Sequence, residues 1–333
     1  MSERSAAAND EKEVLAEINA FESAFGYNAD DMKDLFARSP ESFRRFAAAR
    51  PMTMHYDDRL NQYAKDLLWV VNSPSLLSPA ADGSSLALSQ IDEQHLWAFM
   101  EEQVSNKVGP YFERLILYWL QHIRGLEIIA HALPIRDQGK TLGEIDFLFV
   151  DERGRLTHWE VAVKFYLYLT GQPCRGSHFV GPNSSDTFER KTQRMHEHQL
   201  LLSERIRKDI EVREAIVKGC LFYPPGVDSV PEQPRWMSAN HDRGLWVHHR
   251  ELQKVTDPGC EFRILKKPHW LSVNSSGDAS APWMDIEKFL TAVDQQSAQF
   301  DRPIFAARRC LSRVASTDLI ERFFIVPNQW PDN

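Results

Sequence analysis

The chain has 333 residues, 43% of them hydrophobic, with nineteen Phe and nine Trp, enough for one large domain or two ordinary ones around a substantial core. That composition excludes a disordered chain, although the first dozen residues read as a loose start. A net charge of -8 argues against a surface coated in basic residues for nonspecific nucleic-acid binding, yet residues 188–219 carry a net positive charge and leave room for a local basic groove.

The four cysteines, Cys174, Cys220, Cys260 and Cys310, are widely spaced and form no CxxC. This is neither a disulfide scaffold nor a zinc knuckle, and it suits a reducing compartment. No apolar run approaches the roughly 18 residues of a membrane span, and no signal-peptide core is present at the start. The expected location is the cytoplasm.

Residues 1–55 read as a helical N-terminal extension, with Val14, Ile18, Phe21 and Phe25 on one stripe. Residues 56–333 form the main domain. Leu60 to Val71 is helical and ends at the Asn72-Ser73-Pro74-Ser75 turn. A helix follows from Ile91 to about Val104, and Gly109-Pro110 resets the chain. Tyr111 to Ile123 is apolar almost all round, which predicts a buried helix. Glu144 to Val150 and Leu156 to Leu167 read as strands. A long helix is expected over Thr187 to Val217, then a short strand at Cys220 to Tyr223. Beyond Pro224-Pro225-Gly226, strands are expected at Gly244 to His248 and Phe262 to Leu265, a helix at Asp285 to Phe300, and a closing strand at Arg322 to Pro327. Whether this last block stands apart or completes the same sheet stays open.

The two central strands carry the chemistry. A three-residue loop Glu152-Arg153-Gly154, with Gly154 in the left-handed conformation, pairs positions whose numbers sum to 306. Asp146 then faces Glu160, Glu144 faces Ala162 and Leu142 faces Lys164, with cross-strand Cβ atoms about 4.5–5.5 Å apart. By strand parity Trp159, Val161, Val163 and Phe165 make an apolar face. Glu144, Asp146, His158, Glu160 and Lys164 gather on the other. Unpaired charges on a buried face cost several kcal/mol each, so stability does not explain them. Close carboxylates suit a hard cation such as Mg²⁺, which takes oxygen ligands and keeps waters or phosphate oxygens as the rest of its shell. A lysine beside them can hold the attacking water or neutralise developing charge.

Gly143-Glu144-Ile145-Asp146, a short turn, then Trp159-Glu160-Val161-Ala162-Val163-Lys164 resembles the GEID…EVK pattern of PD-(D/E)xK nucleases. Glu113, in Tyr111-Phe112-Glu113-Arg114-Leu115, matches the glutamate that often joins from the preceding helix. More narrowly, the chain is similar to a bacterial domain-of-unknown-function family (number 1853) associated with that superfamily. Asp66 to Leu77, Tyr111-Phe112-Glu113, Gly143 to Leu167 and Arg322 to Pro331 carry that similarity, which spans roughly residues 56 to 331. The resemblance implies an α/β, restriction-endonuclease-like core: a mixed central sheet flanked by helices. It implies a Mg²⁺- or Mn²⁺-dependent nuclease acting on nucleic acid, DNA ahead of RNA, with Glu113, Asp146, Glu160 and Lys164 catalytic. Asp146, Glu160 and Glu144 would bind the metal, and no membrane partner is expected.

The pattern departs in one place. The family spaces acid and lysine by two, whereas Glu160 and Lys164 are four apart, about 13 Å along a strand at ~3.3 Å per residue. Ala162 stands where an acid would, and Glu144 is the candidate to replace it. Gln199 and Lys191 could reach the site from the long helix, against ordinary surface or core roles. His196 with His198, and His248 with His249, are weak zinc signals. The rival reading is a catalytically silent member of the same fold that binds nucleic acid or protein, favoured by the altered spacing and the acidic charge.

Overall fold

Leu67, Val70 and Val71, together with Tyr63 and Ala64, fall on one face of a 3.6-residue repeat, and burying them makes α1 (Tyr56–Asn72) the first helix of the protein's computed structural model. The structure describes residues 56–80, 84–230, 232–273, 281–310 and 319–331. The expected extension over residues 1–55 lies outside them.

α1 stops where the turn was expected. The Asn72 side chain closes the turn by bonding both the N–H and the carbonyl of Leu86, each at 2.8 Å. The buried Lys218 ammonium donates to the carbonyls of Val71 (3.1 Å) and Ser73, satisfying acceptors that a helix end leaves open. Asp66, fully buried, accepts from Tyr111 Oη (2.7 Å), Gln62 Nε2 (3.0 Å) and the backbone N–H of Ser272 (2.9 Å). One carboxylate thus ties α1 to Tyr111 and to the chain at Ser272.

α2 (Glu93–Glu102) is capped by Asp92, whose carboxylate accepts the His95 N–H at 2.9 Å. α3 (Val108–Tyr118) takes Gly109-Pro110 into its first turn, where a missing N–H costs nothing, and runs on as a π-type turn at Trp119–Ile123. Phe112, Leu115 and Ile116 are wholly buried, worth about 1.5–3 kcal/mol each for full burial.

A mixed nine-stranded sheet receives these helices, which makes the protein α/β. Its strands are β1 (Glu127–Asp137), β2 (Lys140–Val150), β3 (Leu156–Tyr168), β4 (Phe179–Val180), β5 (Val212–Tyr223), β6 (Arg243–His248), β7 (Cys260–Ile264), β8 (Ile304–Cys310) and β9 (Leu319–Val326). The order is β1-β2-β3-β5-β6-β9-β8-β7, with β4 beside β3. β3, β5, β6 and β9 run parallel, and the two flanks are antiparallel. The C-terminal block therefore completes the same sheet. α5 (Ile286–Gln299), capped by Asp285, packs Phe289 and Val293 onto Phe262, Phe323 and Ile325.

The expected long helix over Thr187 to Val217 is a correction. Only α4 (Phe188–Arg194) is regular; it passes through a π-type turn at Met195–Gln199 and a 3₁₀ turn at Leu202–Arg205. Val212 to Val217 belong to β5 instead. Val212 to Phe222 of β5 pair in parallel with β3 and Leu221 to Tyr223 with β6, and the apolar run Ala215-Ile216-Val217 is buried, which a one-sided helical stripe does not provide. β1 and β8 were not anticipated. Cys260 and Cys310, directly opposed on β7 and β8, are joined as a disulfide, whereas the cysteine spacing had suggested none. Among the described residues no helix is long and apolar enough to cross a membrane.

Candidate active site

The loop between β2 and β3 closes as expected. Gly154 has φ +76°, Asp151 N–H donates to Arg155 O (3.0 Å), and the Asp151 carboxylate accepts from the N–H groups of Arg153 and Arg155. The register of 306 holds from Val150↔Leu156 to Phe147↔Trp159. Beyond that the ladder stops. Asp146 and Glu160, Glu144 and Ala162, and Leu142 and Lys164 are not backbone partners.

What ends the ladder is Asp146 itself. Its Oδ2 accepts the Val161 N–H at 2.8 Å, so a carboxylate takes the place of the β2 backbone beside β3. Alternation along β2 also breaks there. Phe147 and Phe149 enter the core under α1 to α3, but Ile145 joins Leu148 in the cluster on the opposite face. On β1, Ala132 lies between the pairs Leu133↔Ile145 and His131↔Phe147 and faces Asp146 with φ +50°, a region that residues other than glycine seldom occupy. Strained backbone of this kind gathers at functional sites.

Glu160 is fully buried on the face opposite Trp159 and Val161. His158 Nε2 lies 2.9 Å from its Oε1, and Gln199 Nε2 donates to its Oε2 at 2.6 Å. His158 Nδ1 is in turn 3.0 Å from Ser203 Oγ, to which Arg213 Nε also donates at 3.1 Å. Gln199 is held at its other end by Lys191, whose Nζ donates to Gln199 Oε1 at 3.0 Å. Close packing fixes this wall, because a Cβ on Gly143 would come within 2.5 Å of Leu202.

The charges identify which groups share the space. Burial, reinforced by the charge of Glu160 and then of Glu113, pushes the Asp146 carboxyl up to about 7, against the pull of the Val161 N–H and of Lys191. Glu113, half-buried on α3, is raised by burial and by the charges of Glu144 and Glu160. Lys191 is lowered by burial first and by Lys164 next, while Glu160, Asp146 and Asp186 oppose the shift. Asp146, Glu160, Glu113 and Lys191 therefore form one electrostatic cluster.

Lys164 donates to Asp186 Oδ2 at 2.8 Å as an ion pair. Glu144 is exposed, and its charge acts on Glu113 ahead of that of Glu160, and on His131. The histidine pairs do not converge as zinc ligands: His196 packs edge-on to Trp236, His248 contacts Trp330 O and His249 contacts Asp294. The reading of the hairpin left His158 without a role. Its signal was parity, since it lies two residues before Glu160 on the same face.

Among the described residues no group of three or more His, Cys, Asp or Glu side chains is arranged to hold a metal ion. A Mg²⁺ ion needs fewer, because one or two carboxylates suffice when substrate phosphate and water complete its shell. Asp146, raised to about 7 by burial first and by the charge of Glu160 next, and Glu160 fit that smaller demand.

Comparison with curated proteins and with solved structures returned no match. A profile of the family described as Domain of unknown function (DUF1853) matches residues 65–326, most of the chain and every element of the candidate site. The chain belongs to this domain-of-unknown-function family.

Proposed function

We propose that the cluster around Asp146 and Glu160 is the centre of a metal-dependent nuclease on a restriction-endonuclease-like core. The observation that carries this reading is the pairing of the two carboxylates at the opened end of the β2–β3 ladder, with Lys191 beside them and Asp146 raised to about 7. Like charges confined in this way cost stability, and a divalent cation is the chemical relief. A bound Mg²⁺ or Mn²⁺ would supply an activated water and charge neutralisation at a phosphoryl oxygen.

The chain's own residues have distinct parts in this reading. Asp146 and Glu160 hold the cation. His158 and Gln199 orient Glu160 from both of its oxygens. Lys191, lowered by burial, takes the part first given to Lys164: it holds a water or donates to the charge that develops on phosphorus. Glu113 accepts a proton or steadies a water at the edge. In this reading Lys191 on α4 supplies the lysine in place of Lys164 on β3, and the four-residue spacing need not be spanned.

One observation favours the silent-binder alternative: both oxygens of Glu160 are already hydrogen-bonded. Metal binding separates the two. Ligand binding to the folded state alone adds RT ln(1 + [L]/Kd), about 2.7 kcal/mol at a hundredfold excess over Kd. The melting temperature should rise with Mn²⁺ in the wild type and not in Asp146→Ala. An equal response in both proteins would remove Asp146 from the site, and no response in either would favour the silent binder.

A further inference from the structure

A cleft of about 300 Å³ opens between the start of α3 and the loop after β4. Lys107, Lys164 and Lys267 line it, against one carboxylate, Asp186. In a chain of net charge -8 that balance is locally reversed. Asp186 already holds Lys164 at 2.8 Å, whereas Lys107 and Lys267 are exposed and make no ion pair among the described residues. Lys267 rests over the ring of Trp270, 4.6 Å from its centre, so part of the wall is aromatic. Gly109 faces open space, where an added Cβ would meet nothing within 4 Å.

Two links join this cleft to the carboxylates. Lys191 is the first, since Lys164 and Asp186, which line the cleft, act on its charge together with Asp146 and Glu160. α3 is the second: it begins in the cleft at Val108 and carries Glu113 to the cluster little more than a turn later.

We infer that the cleft is a phosphate-binding subsite that takes one strand of nucleic acid as it leaves the carboxylate cluster. The inference rests on the nuclease reading for the identity of the strand, and on the cleft's own charge and shape for the site. Lysines that meet phosphates position a strand without reading its sequence. The small volume admits a nucleotide or two of one strand and not the width of a duplex, so the preferred ligand is single-stranded or frayed. Ordinary phosphate and nucleoside monophosphates share the chemistry and should compete only weakly, because each offers a single contact.

The test is binding of fluorescently labelled single-stranded and duplex oligonucleotides to the full chain in EDTA, across a range of salt. Inorganic phosphate and a nucleoside monophosphate serve as competitors. Lys107→Ala/Lys267→Ala changes two exposed side chains, and its melting temperature checks the fold. The expected result is single-strand binding weakened at least tenfold in the double variant, with the salt slope reduced by about 1.4, the share of two phosphate contacts at about 0.7 each. Unchanged affinity and slope would overturn the subsite, as would equal affinity for duplex or full competition by inorganic phosphate. The two readings fail separately. Binding with this lysine dependence but no cleavage sinks the nuclease and keeps the cleft. Cleavage that is indifferent to both lysines does the reverse.

Discussion

At the residue scale, Asp146 links structure to pH. Its carboxyl is raised from an ordinary 3.8 to about 7, by burial first and by the charge of Glu160 next. Between those values the folded chain binds more protons than the unfolded one, so this group's contribution to stability falls as pH rises from about 4 to about 7 and is flat above. Asp146→Asn keeps an acceptor for the Val161 N–H and removes the charge. Its melting temperature should gain on that of the wild type through this window and run parallel to it above pH 7. Curves that stay parallel from pH 4 to 8 would mean that Asp146 is not a strained carboxylate.

At the element scale, close approach between β3 and β5 holds the site's floor in place. Gly219 on β5 pairs with Lys164 on β3, has φ +147°, and a Cβ there would lie 1.7 Å from the Lys164 carbonyl oxygen. Gly219→Ala must therefore push the two central strands apart, at a cost of about 4 kcal/mol, the exceptional end of the range for a single substitution. Chemical denaturation measures it; a loss under about 1 kcal/mol would show that the strands part easily. Much of this arrangement was legible in the residues. Glu152-Arg153-Gly154 set the loop and the register of 306 as far as Trp159, and the apolar stripe of Tyr111 to Ile123 marked α3. The register could not reveal that the ladder opens at Asp146, because the cause is a side chain taking a backbone partner, which no periodicity records. The stretch Thr187 to Val217 misled for a related reason. Its charges and spaced apolar residues read as a helix, and only the parallel pairing with β3 makes Val212 to Val217 a strand. Lys191 and Gln199 were in view as side chains on that helix, but the turn that aims Gln199 at Glu160 was not.

At the scale of the whole molecule, one sheet carries both halves of the proposal. β2 and β3 carry Asp146 and Glu160, and β3 also lines the cleft at Val163 to Tyr166. Part of the acidic excess behind the net charge of -8 lies in residues 1–60, whereas residues 188–219 carry a net positive charge. The silent-binder alternative and the nuclease predict different behaviour of the full chain, and cleavage decides between them. The direct measurement is the rate at which the purified protein cuts single-stranded and duplex DNA and RNA with Mg²⁺ or Mn²⁺, for the wild type, Asp146→Ala and Lys191→Ala. The account predicts metal-dependent cleavage by the wild type that falls about a hundredfold or more in each variant, the size expected when a group acting on developing charge is removed. Absence of cleavage by the wild type with either metal, or cleavage that survives both substitutions, would contradict it.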